Sequence, residues 1–134
     1  MMPAPGSLKR RPFDAHDVAR LLHGQFHLPE NETLAYLKLV ETRELGPEDI
    51  AAHMGITTNE ASELGRSMVS KGLIIEAPGP ALRYVPLHPR MMLTNLFKVY
   101  EKDAVAALRE RRATVDRVVN LLTPVYEEKE VRRD

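Results

Sequence analysis

The sequence predicts a mainly α fold with a small β-hairpin: a helix-turn-helix closed by a wing and followed by one long C-terminal helix. Three stretches predict it. Residues 49–73 read as two short helices joined at Gly55 and stopped at Gly72. Two β-rich runs, Leu73–Ala77 and Ala81–Pro86, flank the turn Pro78-Gly79-Pro80, which makes a hairpin. From Pro89 to Thr123 there is no glycine and no internal proline, and apolar residues recur at helical spacing.

The elements follow in order. Residues 1–12 are proline-rich and carry Lys9, Arg10 and Arg11, a flexible basic arm by composition. The domain proper is expected over residues 13–88. Asp14 can cap a first helix, with Phe13 and Val18 spaced as a hydrophobic staple, and that helix is expected to end near Gly24. Leu28-Pro29 opens a second helix to about Arg43, where Leu34, Tyr36, Leu37, Leu39 and Val40 nearly encircle the axis. A helix apolar on so many sides is central to its domain. Leu45-Gly46-Pro47 is a break, and Pro47, Glu48 and Asp49 suit the start of a third helix over 47–54.

The fourth helix carries its own start signal, because Thr57 and Glu60 have the spacing of a capping box. Lys71-Gly72 supplies its stop, a cation in the last turn and then a residue tolerant of positive φ. Ala61, Leu64 and Met68 share its inner face, while Thr58, Asn59, Ser62 and Arg66 lie outward. Such small hydrogen-bonding groups suit base edges and phosphates, and equally suit solvent.

The last helix is expected over residues 89–124, ended by Pro124, with residues 125–134 as a charged tail. At 1.5 Å per residue it spans roughly 50 Å, more than a small domain can cover. Its stripe of Phe97, Tyr100, Ala104, Leu108, Val115, Val118, Val119 and Leu122 therefore predicts pairing with a second copy, which makes it a dimerisation helix. A folded-back monomer is the alternative cover.

Composition bounds the function. The chain has 134 residues, no cysteine, and 19 basic against 19 acidic side chains. No disulfide or thiolate metal site is available, and no run approaches signal-peptide or membrane-span character. A cytoplasmic protein without membrane association is expected. Zero net charge is unusual for a module that holds a polyanion by electrostatics alone, so local distribution must matter. His23 and His27 are four apart with His16 nearby, but Gly24 interrupts them and no third ligand is specified, so no metal is expected. No phosphate-binding glycine loop, nucleophile elbow or paired catalytic carboxylate appears; neither cofactor nor catalytic activity is expected.

Taken together, residues 28–90 resemble the DNA-binding domain of TrmB-like archaeal transcriptional regulators. The resemblance rests on Leu28-Pro-Glu-Asn-Glu-Thr-Leu-Ala-Tyr-Leu-Lys-Leu-Val, Asp49-Ile-Ala-Ala-His-Met-Gly-Ile, Lys71-Gly-Leu-Ile and Arg83-Tyr84. It implies a winged helix-turn-helix followed by a long C-terminal dimerisation helix, as a homodimer on double-stranded DNA. By position, Thr57, Thr58, Asn59, Ser62 and Arg66 would face DNA and Arg83 would sit on the wing. Lys71 is a further candidate phosphate contact, and the arm Lys9–Arg11 would add charge. Glu60 and Glu63 depart from the pattern by placing carboxylates on the recognition helix. Gly65 departs too, where a bulky apolar residue is usual. An effector domain beyond the helix is not expected. The rival expectation is a winged helix used for protein–protein interaction, motivated by the neutral charge and the acidic recognition helix.

Overall fold

The computed structural model describes residues 13–132, so the arm Lys9–Arg11 lies outside the described residues. Its elements are α1 (Ala15–Phe26), α2 (Glu30–Thr42), α3 (Pro47–Met54), α4 (Thr58–Ser70), β1 (Ile74–Glu76), β2 (Tyr84–Pro86) and α5 (Pro89–Arg132). The expected winged helix-turn-helix order is present.

Local chemistry sets the boundaries. Asp14 caps α1 by accepting the His16 N–H at 2.8 Å. The helix runs on past Gly24, which has open space around it, and closes at His27 in the left-handed region, φ 60°. His27 donates its N–H to the His23 carbonyl at 3.0 Å, so a non-glycine residue takes the terminating conformation. α3 opens at Pro47, and Asp49 accepts the Gly46 N–H at 3.0 Å. Gly55 then turns the chain at φ 68°. Lys71 and Gly72, the latter at φ 76°, stop α4 as expected.

The two strands pair antiparallel, Ile74 opposite Pro86 and Glu76 opposite Tyr84, and are shorter than the apolar runs that predicted them. β2 also has a partner on its other side. Leu45, in the expected break, exchanges backbone hydrogen bonds of 3.1 and 2.8 Å with Tyr84. This single bridge ties the wing to the loop before α3.

α2 is central, packing on α1, α3 and β2. Leu39, Ile50, Met68, Leu73 and Tyr84 are among the most deeply buried side chains of the common core. Each large aliphatic so buried contributes roughly 1.5–3 kcal/mol. Met92 and Leu96, in the first turns of α5, belong to the same core.

The chain divides into two compact units at Lys98–Val99, later than the expected boundary at residue 88. The reason is Met92 and Leu96, which the core needs. The second unit is the remainder of α5, a single helix whose Leu108, Val115, Val118, Val119 and Leu122 are exposed. Tyr100 and Ala104 are partly covered. Pro124 does not end this helix, which continues to Arg132, so most of the expected tail is helical. The proline removes one hydrogen bond to the Asn120 carbonyl, but both residues are exposed and water can satisfy the freed oxygen.

Candidate nucleic-acid interface

The surface that could enter a DNA groove is the outer side of α4. Thr57 Oγ1 accepts the Glu60 N–H at 3.1 Å, and Glu60 Oε1 accepts the Thr57 N–H at 2.9 Å. The bond from the Thr57 backbone, then that with its side chain, holds the Glu60 carboxyl below its ordinary 4.5. Glu60 therefore stays ionised, and the Thr57 hydroxyl oxygen is engaged as an acceptor while its O–H can still donate.

The buried residues Ala61, Leu64, Gly65 and Met68 define the inner face of α4. At about 100° per residue, Asn59, Glu63, Arg66 and Ser70 fall within about 30° of the opposite direction. All four are exposed. Thr58 and Ser62 lie farther round the helix. Sequence reasoning placed Asn59 and Arg66 on this face, but treated Glu63 only as a departure and did not assign Ser70. Helical angle was the signal that could have found them. Glu63 and Arg66 make no hydrogen bond or ion pair with a described residue, which leaves both side chains to an incoming ligand.

Two expected cations are differently employed. Lys71 Nζ donates to Glu32 Oε1 and Oε2 at 2.9 and 3.0 Å, and Ser67 Oγ donates to Glu32 Oε2 at 2.9 Å. Glu32 is 4% exposed. Lys71 is thus the countercharge of a buried carboxylate on α2, and removing it for a phosphate would strand that charge. Its expected role as a phosphate contact does not fit this arrangement. Arg83, at the wing base, donates from Nε to Glu44 at 2.9 Å and from Nη1 to Asp49 at 3.3 Å. The hydrogen bond to Glu44 leads in raising its pKa, with the charges of Glu44, Asp49 and Glu48 adding to it. Neither Glu32, Glu44 nor Asp49 was singled out as a partner from sequence.

The back of α4 is fixed equally closely. The Tyr84 ring lies against Gly65, and Tyr84 is fully buried. Burial first, then the Glu76 charge, raises the Tyr84 pKa, while Arg66 lowers it. Beyond the C-terminal end of α4, Asn95 of α5 donates Nδ2–H to the Gly72 carbonyl at 2.7 Å. Tyr36 donates its hydroxyl to the Leu87 carbonyl at 2.6 Å, and burial pushes its pKa up to about 12. Of the stripe proposed for dimerisation, Phe97 belongs to the first unit, edge-on to Phe26 with ring centroids 6.4 Å apart.

Among the described residues, no three His, Asp or Glu side chains converge on a metal position, and no helix is long and apolar enough to cross a membrane.

Comparison with known proteins agrees with this architecture. The chain is 26% identical over 110 residues to the DNA-binding HTH-type transcriptional repressor TrmBL2 of Thermococcus kodakarensis. It is 24% identical over 110 residues to an HTH-type transcriptional regulator TrmBL2 of Pyrococcus furiosus. Each alignment covers 82% of this chain and 42% of the relative, so the chain spans less than half the length of these curated relatives. A solved structure of TrmBL2, an archaeal chromatin protein with a novel mode of DNA binding, superposes with TM-score 0.69 at 23% identity. It covers 84% of this chain and 43% of that one. A MarR family protein from Bacillus stearothermophilus superposes with TM-score 0.50 at 16% identity, covering 79% of this chain and 80% of that one. These likenesses show a winged-helix fold. The model of the family described as sugar-specific transcriptional regulator TrmB matches residues 22–90, more than half of the sequence, and the chain belongs to that family.

Proposed function

We propose that the protein is a transcriptional regulator that binds double-stranded DNA sequence-specifically as a homodimer. α4 would enter the major groove and α5 would join the two copies. The observation that carries this reading is the outward face of α4, where Asn59 and Arg66 stand exposed on a helix locked from behind by Tyr84, Lys71 and Asn95. Arg66 suits guanine and Asn59 adenine in the bidentate geometries of the major groove. Thr57, Thr58 and Ser62 at the rim are the phosphate contacts in this reading. The TrmB family match and the DNA-binding relatives support it.

Charge sets its terms. Residues 13–98 contain eight basic and eleven acidic side chains, so a single winged helix has no electrostatic excess for a polyanion. Two copies and the arm Lys9–Arg11 must supply affinity together, with Arg83 contributing only if it leaves its acidic partners. In a gel-shift titration, duplex DNA is expected to be retarded at low salt, affinity is expected to fall steeply as salt rises, and Arg66→Ala to weaken it. Absence of binding to every genomic fragment at low salt would overturn the reading.

The acidic balance of residues 13–98 also favours a second reading, a winged helix that docks on another protein without DNA. A partner that co-purifies and is lost on Leu108→Asp, with no DNA binding at any salt, would select it.

A further inference from the structure

We infer that Glu63 is a specificity-determining residue, selecting cytosine at one position of the bound duplex; the inference rests on the DNA-binding reading above. A carboxylate on a DNA-facing helix is costly near phosphates, and two stand on α4. Their circumstances differ. Glu60 is occupied by the capping box, accepting the Thr57 N–H at 2.9 Å. Glu63 is not held in this way, being exposed and making no hydrogen bond or ion pair with a described residue.

Its direction matters as much as its freedom. Taking the face opposite Ala61, Leu64, Gly65 and Met68 as outward, Glu63 and Arg66 flank the outward direction by about 30° on either side. The two are one helical turn apart, about 4.5 Å along the axis, against about 3.4 Å between base pairs. They can therefore address neighbouring base pairs. An ionised carboxylate only accepts hydrogen bonds, and among major-groove edges the cytosine N4 amino group donates without an adjacent acceptor on the same base. The O6 and N7 acceptors of guanine and the O4 of thymine would instead repel it. Arg66 beside it suits guanine. The pair would read a cytosine within one or two base pairs of a guanine.

Glu63 is exposed and makes no hydrogen bond or ion pair with a described residue, so Glu63→Gln and Glu63→Ala are expected to melt like the wild type. The test is selection from a random duplex library by the full chain and by both variants, with affinities measured on the selected sites. The wild type is expected to favour cytosine at one fixed position by about tenfold. Glu63→Ala should erase that preference, and Glu63→Gln should move it to adenine, whose N6 and N7 suit an amide. Should both variants bind every duplex more tightly while keeping the wild-type base preferences, Glu63 acts as bulk charge only and the inference is overturned. Wild-type binding with no preference for cytosine anywhere overturns it as well, leaving DNA binding intact. No binding by the wild type at low salt overturns the functional reading and this inference together.

Discussion

The ring of Tyr84 fills the space that a side chain at Gly65 would need: a β-carbon there would overlap Tyr84 Cζ and Oη and lie 2.7 Å from Cε2. The wing strand therefore meets the backbone of α4 directly. Glycine inside a helix costs about 1 kcal/mol relative to alanine, yet Gly65→Ala is expected to destabilise, because the overlap involves a fully buried ring rather than a flexible chain end. A fall in melting temperature of several degrees would fit a net loss of about 1–2 kcal/mol. A rise would show that the ring moves aside freely.

Tyr84 itself gives the complementary case. Its hydroxyl is buried and, among the described residues, has no hydrogen-bond partner. An unsatisfied buried hydroxyl costs about 1–3 kcal/mol, so Tyr84→Phe is expected to keep the packing and raise thermal stability. Denaturant titration with an unchanged m-value and a higher midpoint would show it.

Lys71 and Glu32 predict a strongly non-additive pair. Lys71→Ala leaves a carboxylate that is 4% exposed without its countercharge, and losses of about 3–5 kcal/mol are typical of that situation. Lys71→Met combined with Glu32→Gln should cost distinctly less than Lys71→Ala alone. For DNA, a charge-neutral Lys71 variant that still folds should keep the salt dependence of the wild type. A slope reduced by about one would mean that Lys71 does reach a phosphate.

Arg83 behaves differently because its partners are exposed. Ion pairs of that kind contribute about 0–1 kcal/mol, so Arg83→Ala should hardly change stability. Releasing it from those partners is expected to affect binding instead. Glu44→Gln combined with Asp49→Asn frees the guanidinium, and affinity for duplex DNA at low salt is expected to rise with a steeper salt dependence. Unchanged binding would mean that the wing stays away from phosphates.

What the sequence made legible follows distance along the chain. The capping box of Thr57 and Glu60 and the stop at Lys71-Gly72 are local signals, and α4 begins and ends where they say. Which carboxylate a cation chooses is not local: Lys71 and Glu32 are 39 residues apart, as are Arg83 and Glu44. Composition shows the cations, and only folding shows that both are engaged. Gly65 was legible as an anomaly, but its cause, the Tyr84 ring, comes from another element. Pro124 reads as a helix end only if the freed carbonyl must find a protein partner, which an exposed helix does not require.

The shifted groups fix the pH response. Glu60 has its folded pKa lowered from 4.5, so the unfolded chain binds more protons there and the stabilisation is present above 4.5. It is lost as pH falls through the folded value. Glu60→Gln should therefore cost stability at neutral pH and make progressively less difference in acid. Tyr36 has the opposite sign: its folded pKa is raised to about 12 from 10.0, so this contribution is fully present below 10 and lost as pH rises towards 12. Ultraviolet titration should show Tyr36 and Tyr84 ionising above the ordinary tyrosine value of 10.0, and Tyr36→Phe should remove one late step.

The second unit makes the last prediction, because a lone helix of this kind lacks the means to hold itself together. In proteins most helical stability comes from packing an apolar face, and this helix leaves its apolar face exposed. Val105, Leu108, Val115, Val119, Leu122 and Tyr126 are all exposed, and their spacings of three, four or seven residues form one heptad seam, with Arg112 in the position between Leu108 and Val115. Covering that seam with its own copy would satisfy all six at once and would make melting depend on concentration. Arg112 lies 4.0 Å from Asp116 in a weak, exposed contact, so its charge is available to set register between two copies. Sedimentation should give a dimer at micromolar concentration, and Leu108→Asp with Leu122→Asp should give a monomer with reduced helicity in the second unit. A wild-type monomer with α5 fully helical at the same concentration would overturn the self-pairing of this helix, and the paired-site account of DNA affinity would fall with it.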